Sequence, residues 1–329
     1  MSYNSALLRA LAPGLAMSGE ALGRELGISR AAVWKAVRRL AALGLEIEAL
    51  PGRGYRLLQP ISLLDAAVIR AALPAEVSAR VGVLEVLADT DSTNARVLAA
   101  ERPVGELVVC LAEYQSAGRG RRGRHWLSPP GAGVCLSVGG RLPAAPSDYA
   151  ALPTAVGVAS AAALEALGVP GIGLKWPNDL LLDGGKLGGI LIELRGESQG
   201  PATLSVGLGL NMWLGPEARA EIARSGGLPP ADLASRPEDA APERNAVAAA
   251  LIAAIAGCLD RAPEGLSDAV LSGWRQRDCL WGRAVRVEDA GDGRVGIARG
   301  LDPSGALLLE TADGSRQRVT AGEVTRRPT

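Results

Sequence analysis

At 329 residues, 48% of them apolar, the chain is long enough for two or three domains with substantial cores. Its 35 basic residues are balanced by 35 acidic ones, so whole-molecule charge points to no polyanion and any such partner must be met by a local patch. A single histidine, His125, removes most Ser-His and histidine-ligated metal chemistry, leaving Lys, Arg, Asp, Glu and backbone dipoles to carry catalysis.

The first sixty residues read as three short helices and a hairpin. Residues 4–12 have a helical pattern that Pro13-Gly14 ends. Ser18 is placed to cap a second helix through about Leu26. Ser29 is placed to cap a third, Arg30 to Leu43, with Val33, Val37 and Leu40 on one face. Two alternating runs, Leu45–Leu50 and Tyr55–Leu58, flank a Pro51-Gly52-Arg53-Gly54 turn. This order predicts a winged helix-turn-helix over residues 1–63. Residues 1–60 hold eight basic and four acidic side chains, a local excess of +4. Arg30, Trp34, Lys35 and Arg38 fall on the face of the third helix opposite its apolar stripe, where a recognition helix presents its DNA contacts, with Ser29 at its start. A packing domain without an operator would have the same pattern.

Residues 64–272 alternate strands and helices. Strands are expected at Val81–Leu87, Leu107–Tyr114, Val134–Arg141, Ile172–Lys175, Gly188–Leu194 and Thr203–Leu210, with helices at Tyr149–Leu167 and Arg244–Leu259. Strands adjoin one another more often than they alternate with helices, which favours a mixed α+β sheet over a doubly wound one. Residues 215–242, rich in Pro, Gly, Asp and Arg, read as a long surface loop. Residues 273–329 change character: short strands at Ala284–Glu288, Val295–Gly300, Ala306–Glu310 and Gln317–Thr320 are separated by Asp- and Gly-containing turns, as in a small β-barrel or sandwich. Cys110, Cys135, Cys258 and Cys279 are widely spaced and suggest no disulfide framework or metal site. No signal peptide and no uninterrupted apolar run of membrane length is evident, so a cytoplasmic protein without a membrane partner is expected.

Three segments carry chemistry. The first, Glu113 to Trp126, follows a strand and interleaves Gly118, Gly120 and Gly123 with Arg119, Arg121, Arg122 and Arg124. Glycines let backbone N–H groups close on an anion and arginines supply cationic donors. An arginine-rich loop that holds nucleic acid without sequence preference has the same composition, and repulsion among its like charges predicts disorder without a ligand. The second joins Lys175-Trp176-Pro177-Asn178-Asp179 to Lys186 across a turn at 183–185, placing Asp179 and Lys186 on neighbouring strands of a hairpin where they can converge on one pocket. An ordinary surface hairpin would also look like this. The third, Asp91-Ser92-Thr93-Asn94, is suited to cap a helix over Ala95–Ala100 or to hydrogen-bond a polar ring.

Taken together, these motifs and Gly207-Leu-Gly-Leu-Asn211-Met212 resemble biotin protein ligases. The amino-terminal Ser18–Lys35 segment with Pro51–Tyr55, and the tail through Gly322-Glu323, are similar to ligases that also repress a biotin operon. The resemblance implies a class II aminoacyl-tRNA synthetase/biotin ligase-like domain followed by an SH3-like β domain. It implies that Ser92, Thr93, Asn94 and Gln115 meet biotin. Arg119, Gly120 and Arg121 would fold over biotin and phosphate, and Lys186 would bridge the biotin carboxylate and the α-phosphate. Trp126, Asn178 and Asn211 would line the nucleotide side. ATP and Mg²⁺ are the implied cofactors; a biotin carboxyl carrier protein domain, operator DNA and a second copy of the chain are the implied partners. Because a carboxylate is already ionised, the first step needs no base, whereas the attacking lysine amine of the second step does, and Asp179 is the expected proton acceptor. A lipoate-type ligase and a biotin-sensing repressor without ligase activity are the competing readings; the arginine loop and the joint presence of Lys186 and Asp179 argue against them.

Overall fold

The computed structural model describes residues 5–196, 200–235, 241–288 and 293–326. Helices α1 (Ser5–Leu11), α2 (Gly19–Leu26) and α3 (Arg30–Ala42) are followed by the hairpin β1 (Ile47–Leu50) and β2 (Gly54–Leu57). Both expected caps are present: Ser18 Oγ accepts from Ala21 N at 3.0 Å and Ser29 Oγ from Ala32 N at 3.2 Å. Leu7, Leu8, Leu11, Leu22, Val33, Val37 and Leu40 form a core with Leu57 of the hairpin. Gly54 is forced by close approach: a Cβ there would lie 1.9 Å from Met17 O, in the bridge where Met17 and Tyr55 exchange two backbone hydrogen bonds.

The chain then passes through α4 (Ala66–Ala72) and α5 (Ala75–Arg80), neither expected, into a seven-stranded sheet. Its elements are β3 (Val81–Leu87), α6 (Thr93–Ala99), β4 (Leu107–Ala112), β5 (Gly133–Leu142), α7 (Leu152–Ala166), β6 (Gly173–Lys175), β7 (Asp179–Leu182), β8 (Gly185–Arg195) and β9 (Ala202–Asn211). Strand order is β3-β4-β5-β9-β8-β7-β6, antiparallel except for the β3/β4 pair. The period-2 alternation of the strands sorts the two faces. Leu107, Val109 and Leu111 of β4, Val134, Leu136 and Val138 of β5 and Leu204, Val206, Leu208 and Leu210 of β9 pack with α7 and α9 (Arg244–Arg261). The opposite face presents Cys135, Ser137, Ser205, Gly207, Gly209 and Asn211, and α6 lies on it through Val97, Val108 and Cys110. One face is thus a thick core and the other a shallow floor of small residues. Segments 146–166 and 244–264 are long and apolar enough to cross a membrane by length and composition, yet α7 and α9 within them pack on each other in this core.

Residues 215–242 are not a bare loop. They contain α8 (Pro216–Arg224), with proline in its first turn, and a 3-10 turn at Leu233–Ser235; residues 236–240 lie outside the described ones. Buried Asp232 organises the segment by accepting from Leu214 N at 2.8 Å and pairing with Arg219. Helix α10 (Asp268–Arg277) leads to β10 (Ala284–Glu288), β11 (Arg294–Leu301), β12 (Leu307–Glu310), β13 (Arg316–Val319) and β14 (Glu323–Arg326). These form an antiparallel sheet in the order β13-β12-β11-β10-β14, of which β14 was not expected; most of the expected 290–293 turn lies outside the described residues. Val285, Val287, Leu307 and Leu309 join the hydrophobic cluster of the central sheet, so the two sheets share one core.

Candidate active site

A cavity of about 310 Å³ lies over the small-residue face of the central sheet. Its lining includes Ser92, Thr93, Asn94, Gln115, Arg119, Gly120, Arg121, Trp126, Asn178, Asp179, Lys186 and Asn211, so all the ligand-site residues singled out in the sequence meet in one place. The glycines of β9 make the room: a Cβ on Gly209 would stand 2.4 Å from the Trp126 ring, and one on Gly207 would stand 2.5 Å from Asn94.

At one end Ser92 stands at the N-cap position of α6, yet its buried hydroxyl makes no capping hydrogen bond. The expected cap is therefore absent, and the helix begins two residues earlier than expected. Gln115 Oε1 accepts from Thr93 N at 2.9 Å and from Thr93 Oγ1 at 3.1 Å. Asn94 is consumed within the protein: Nδ2 donates to Glu193 at 2.7 Å and to Leu191 O at 3.2 Å, and Oδ1 lies 2.7 Å from Ser137 Oγ and 2.9 Å from Ser205 Oγ. Its amide braces the wall and has no hydrogen bond to spare for a ligand. The acceptor expected of the ring-binding cluster rests on Ser92, Thr93 and Gln115.

At the centre the hairpin brings Lys186 Nζ to 2.7 Å from Asp179 Oδ1. A two-residue Asp183-Gly184 loop with both φ values positive makes this register, a type I′ geometry that suits the twist of the flanking strands. Lys186 also lies 5.9 Å from the Trp126 ring centroid. Asn178 Nδ2 donates to Ile190 O at 2.7 Å and fixes the end of β7 against β8. On the far side Asn211 Nδ2 donates to Ala231 O at 3.0 Å, while buried Asn211 Oδ1 and Trp126 Nε1 have no hydrogen-bond partner among the described residues. Uncompensated buried polar atoms are costly, so this acceptor and donor at the cavity wall suit a polar ligand.

The arginine loop is folded, contrary to the expectation of disorder. Gly120 N donates to Arg124 O at 2.7 Å and Trp126 N to Gly118 O at 2.9 Å. The repulsion among its cations is offset by distant carboxylates: Arg119 pairs with Glu193 at 3.1 Å, Arg124 with Glu323 at 2.7 Å and Arg122 with Glu323 at 3.6 Å. Arg121 makes no ion pair among the described residues and lines the cavity with Arg119 and Arg124. Burial, aided by Arg122 and Arg124, lowers its pKa, with Asp179 opposing. Burial likewise lowers the pKa of Lys175, against the pull of Asp179. Sequence reasoning missed Ser137, Glu193, Glu323, Lys175 as a cavity residue, and Glu221 to Leu228 around the end of α8, which also line or brace the cavity. The alternation of β5 carried a signal for Ser137, a polar residue in an apolar strand; nothing local marked Glu193 or Glu323.

On the amino-terminal domain Arg30, Trp34, Lys35 and Arg38 are all exposed on α3, and the Arg38 guanidinium lies 5.6 Å from the Trp34 ring. Ser29 caps the helix with its hydroxyl.

Residues 5–56 match an HTH domain, residues 86–211 the Biotin/lipoate A/B protein ligase family and residues 281–327 the biotin protein ligase C terminal domain. The chain is 39% identical over 325 residues to the Bifunctional ligase/repressor BirA of Salmonella typhimurium, covering 98% of this chain and 96% of that one. The chain belongs to the bifunctional biotin ligase/repressor family. The chain is also 38% identical over 252 residues to the Biotin--[acetyl-CoA-carboxylase] ligase of Mycobacterium tuberculosis, over 73% of this chain and 88% of that one. A solved structure of the biotin protein ligase from Aquifex aeolicus in complex with biotin and ATP has the same fold, with a TM-score of 0.59 at 24% identity over 75% of this chain and 99% of that chain. The helix-turn-helix match stands in front of the two ligase matches in the chain.

Proposed function

We propose that this enzyme condenses biotin with ATP to biotinyl-5′-AMP and passes the biotinyl group to a lysine of a biotin carboxyl carrier protein domain. The single observation that carries this reading is the cavity that joins a Ser92, Thr93, Gln115 end to the Arg121, Lys186, Asp179 cluster. In the first step a carboxylate oxygen attacks the α-phosphorus and pyrophosphate leaves. Both partners are anions, so the barrier is chiefly electrostatic; Arg121 and Lys186, fixed in a partly desolvated site, offset it without reorganising. Trp126, Asn178 and Asn211 take the nucleotide side, and Arg119 and Gly120 belong to the loop that covers the anhydride and excludes water. Mg²⁺, when bound with the nucleotide, would offset part of the phosphate charge beside Arg121 and Lys186.

In the second step the lysine amine attacks the acyl carbon and AMP leaves. The amine must lose a proton, and Asp179, held by Lys186, is the carboxylate in place to accept it. Offering the purified enzyme MgATP and a carrier domain with either biotin or lipoate tests the assignment. Biotin alone should be transferred; transfer of lipoate would replace it with the lipoate-type reading.

The same chain acts as a repressor through α3, whose exposed Arg30, Trp34, Lys35 and Arg38 face the operator while Ser29 fixes the helix start. Reading DNA places its work in the bacterial cytoplasm. A two-fold operator calls for a dimer, and the apolar stripes of α1–α3 are spent on their own core. Strand β8 supplies an alternative: past Gly189, which pairs with Asp179, residues Ile192–Arg195 have no strand on the β7 side among the described residues. Such an edge can pair with its symmetry mate. The adenylate promotes this dimer only by binding it more tightly than the monomer; sedimentation with and without biotin and MgATP measures the shift, and an unmoved association constant removes the switch while leaving the ligase.

A further inference from the structure

Two lysines reach the cavity, and only one has a partner. Lys186 is 2.7 Å from Asp179. Lys175 sits directly opposite Asp179 in the β6/β7 register, so the two side chains leave the same face of the sheet, yet the Lys175 ammonium makes no ion pair or hydrogen bond among the described residues. It is half-buried and lines the cavity, and the charges that act on it are Asp179, Lys186, Glu323 and Arg124. A partly desolvated cation without a counter-ion destabilises a fold, and cleft residues of this kind are held for a ligand that completes them. Lys186 and Arg121 already serve the α-phosphate. The nucleotide brings further anionic oxygens beyond it, and these depart together as pyrophosphate.

We infer that Lys175 binds the β- and γ-phosphates of ATP and stabilises the leaving pyrophosphate, a role confined to the first half-reaction. This inference rests on the adenylating reading of the cavity. As the α-phosphorus–oxygen bond to the leaving group breaks, the electron pair moves onto the pyrophosphate oxygen, and the Lys175 ammonium faces that growing charge without transferring a proton. The second half-reaction involves only the α-phosphate and the acyl carbon, so Lys175 is idle there.

The test separates the two half-reactions in the full chain with Lys175→Met, which keeps the length of the side chain and removes its charge. Biotin-dependent exchange of labelled pyrophosphate into ATP should fall ~10²-fold, the usual effect of one aimed donor. The inhibition constant for inorganic pyrophosphate should rise at least about tenfold. Transfer from supplied biotinyl-adenylate to the carrier domain should stay within about twofold of the parent, and Lys175→Arg should recover part of the exchange. Equal loss in both half-reactions would show that Lys175 acts through Asp179 or the fold, and an unchanged exchange rate would show no role; either overturns the inference. A parent enzyme without biotin-dependent exchange would instead remove the adenylating reading, and this inference with it.

Discussion

Gly209 shows how one side chain's absence shapes the site. It lies on the small-residue face of β9, and a methyl group there would intrude to 2.4 Å of the indole of Trp126. Gly209→Ala should therefore push the indole out of its seat, destabilising the fold by about 1–3 kcal/mol as overpacking does. It should raise KM for MgATP about tenfold if the ring is lost from the nucleotide side, a change of about 1.4 kcal/mol. Steady-state kinetics against MgATP and a denaturant titration check the two effects separately. Asp278 is a contrasting residue, outside the lining of the cavity. Burial raises its pKa although Leu280 N–H and the Trp274 indole lower it. A carboxyl whose pKa is raised on folding favours the folded state only while protonated; that contribution is lost as pH climbs from the unfolded value of about 4 through the folded one. Asp278→Asn keeps an acceptor for Leu280 N, now at 2.8 Å from Oδ1. Thermal unfolding should show the variant at least as stable as the parent near neutrality, with its advantage shrinking as pH falls through the folded pKa and gone below about pH 4.

At the scale of elements the arginine loop is the decisive one, because it is held from outside itself. Glu323, at the start of β14, pairs with Arg124 at 2.7 Å and Arg122 at 3.6 Å and also lines the cavity. Glu323→Gln keeps the shape and removes the charge, so the loop should open more readily, release adenylate early and label lysines of bystander proteins. Biotinylation of added albumin and tryptic cleavage at 119–124 should both increase; unchanged values would mean that Glu323 does not latch the loop. The loop's order was not legible because its counter-charges, Glu193 and Glu323, are brought in by tertiary folding. The hairpin was legible because its signals are local: Asp183-Gly184 fixes a two-residue turn, and the turn fixes which strands carry Asp179 and Lys186. Strands β3 and β10 fall where period-2 alternation puts them. The extent of the hairpin's first strand, β7, was less legible, because Leu180, Leu181 and Leu182 are buried on both faces and do not alternate. Helix α8 was missed because proline and glycine, which mark element ends, frame a helix of nine residues.

For the whole molecule, the DNA-binding head is anchored to the enzyme beside the ligand site. In the connection between them, Leu64 N donates to Glu113 at 2.7 Å, Ser62 O accepts from Arg244, and Glu113 and Arg244 form a buried ion pair at 2.5 Å. Glu113 directly follows β4, and the next two residues are Tyr114, packed on the head, and Gln115, in the cavity. Gly44 after α3 lies against Ala218 of α8, and the other end of α8 lines the cavity. Buried contacts thus link the head to residues that flank the cavity. On the proposed mechanism this cavity adenylates biotin through Lys186. The most direct test is exchange of labelled pyrophosphate into ATP by the parent and by Lys186→Ala. The parent should exchange label only with biotin present, and the variant, folded by circular dichroism, should exchange at least ~10²-fold more slowly. Exchange that needs no biotin, or a variant that matches the parent, would contradict it.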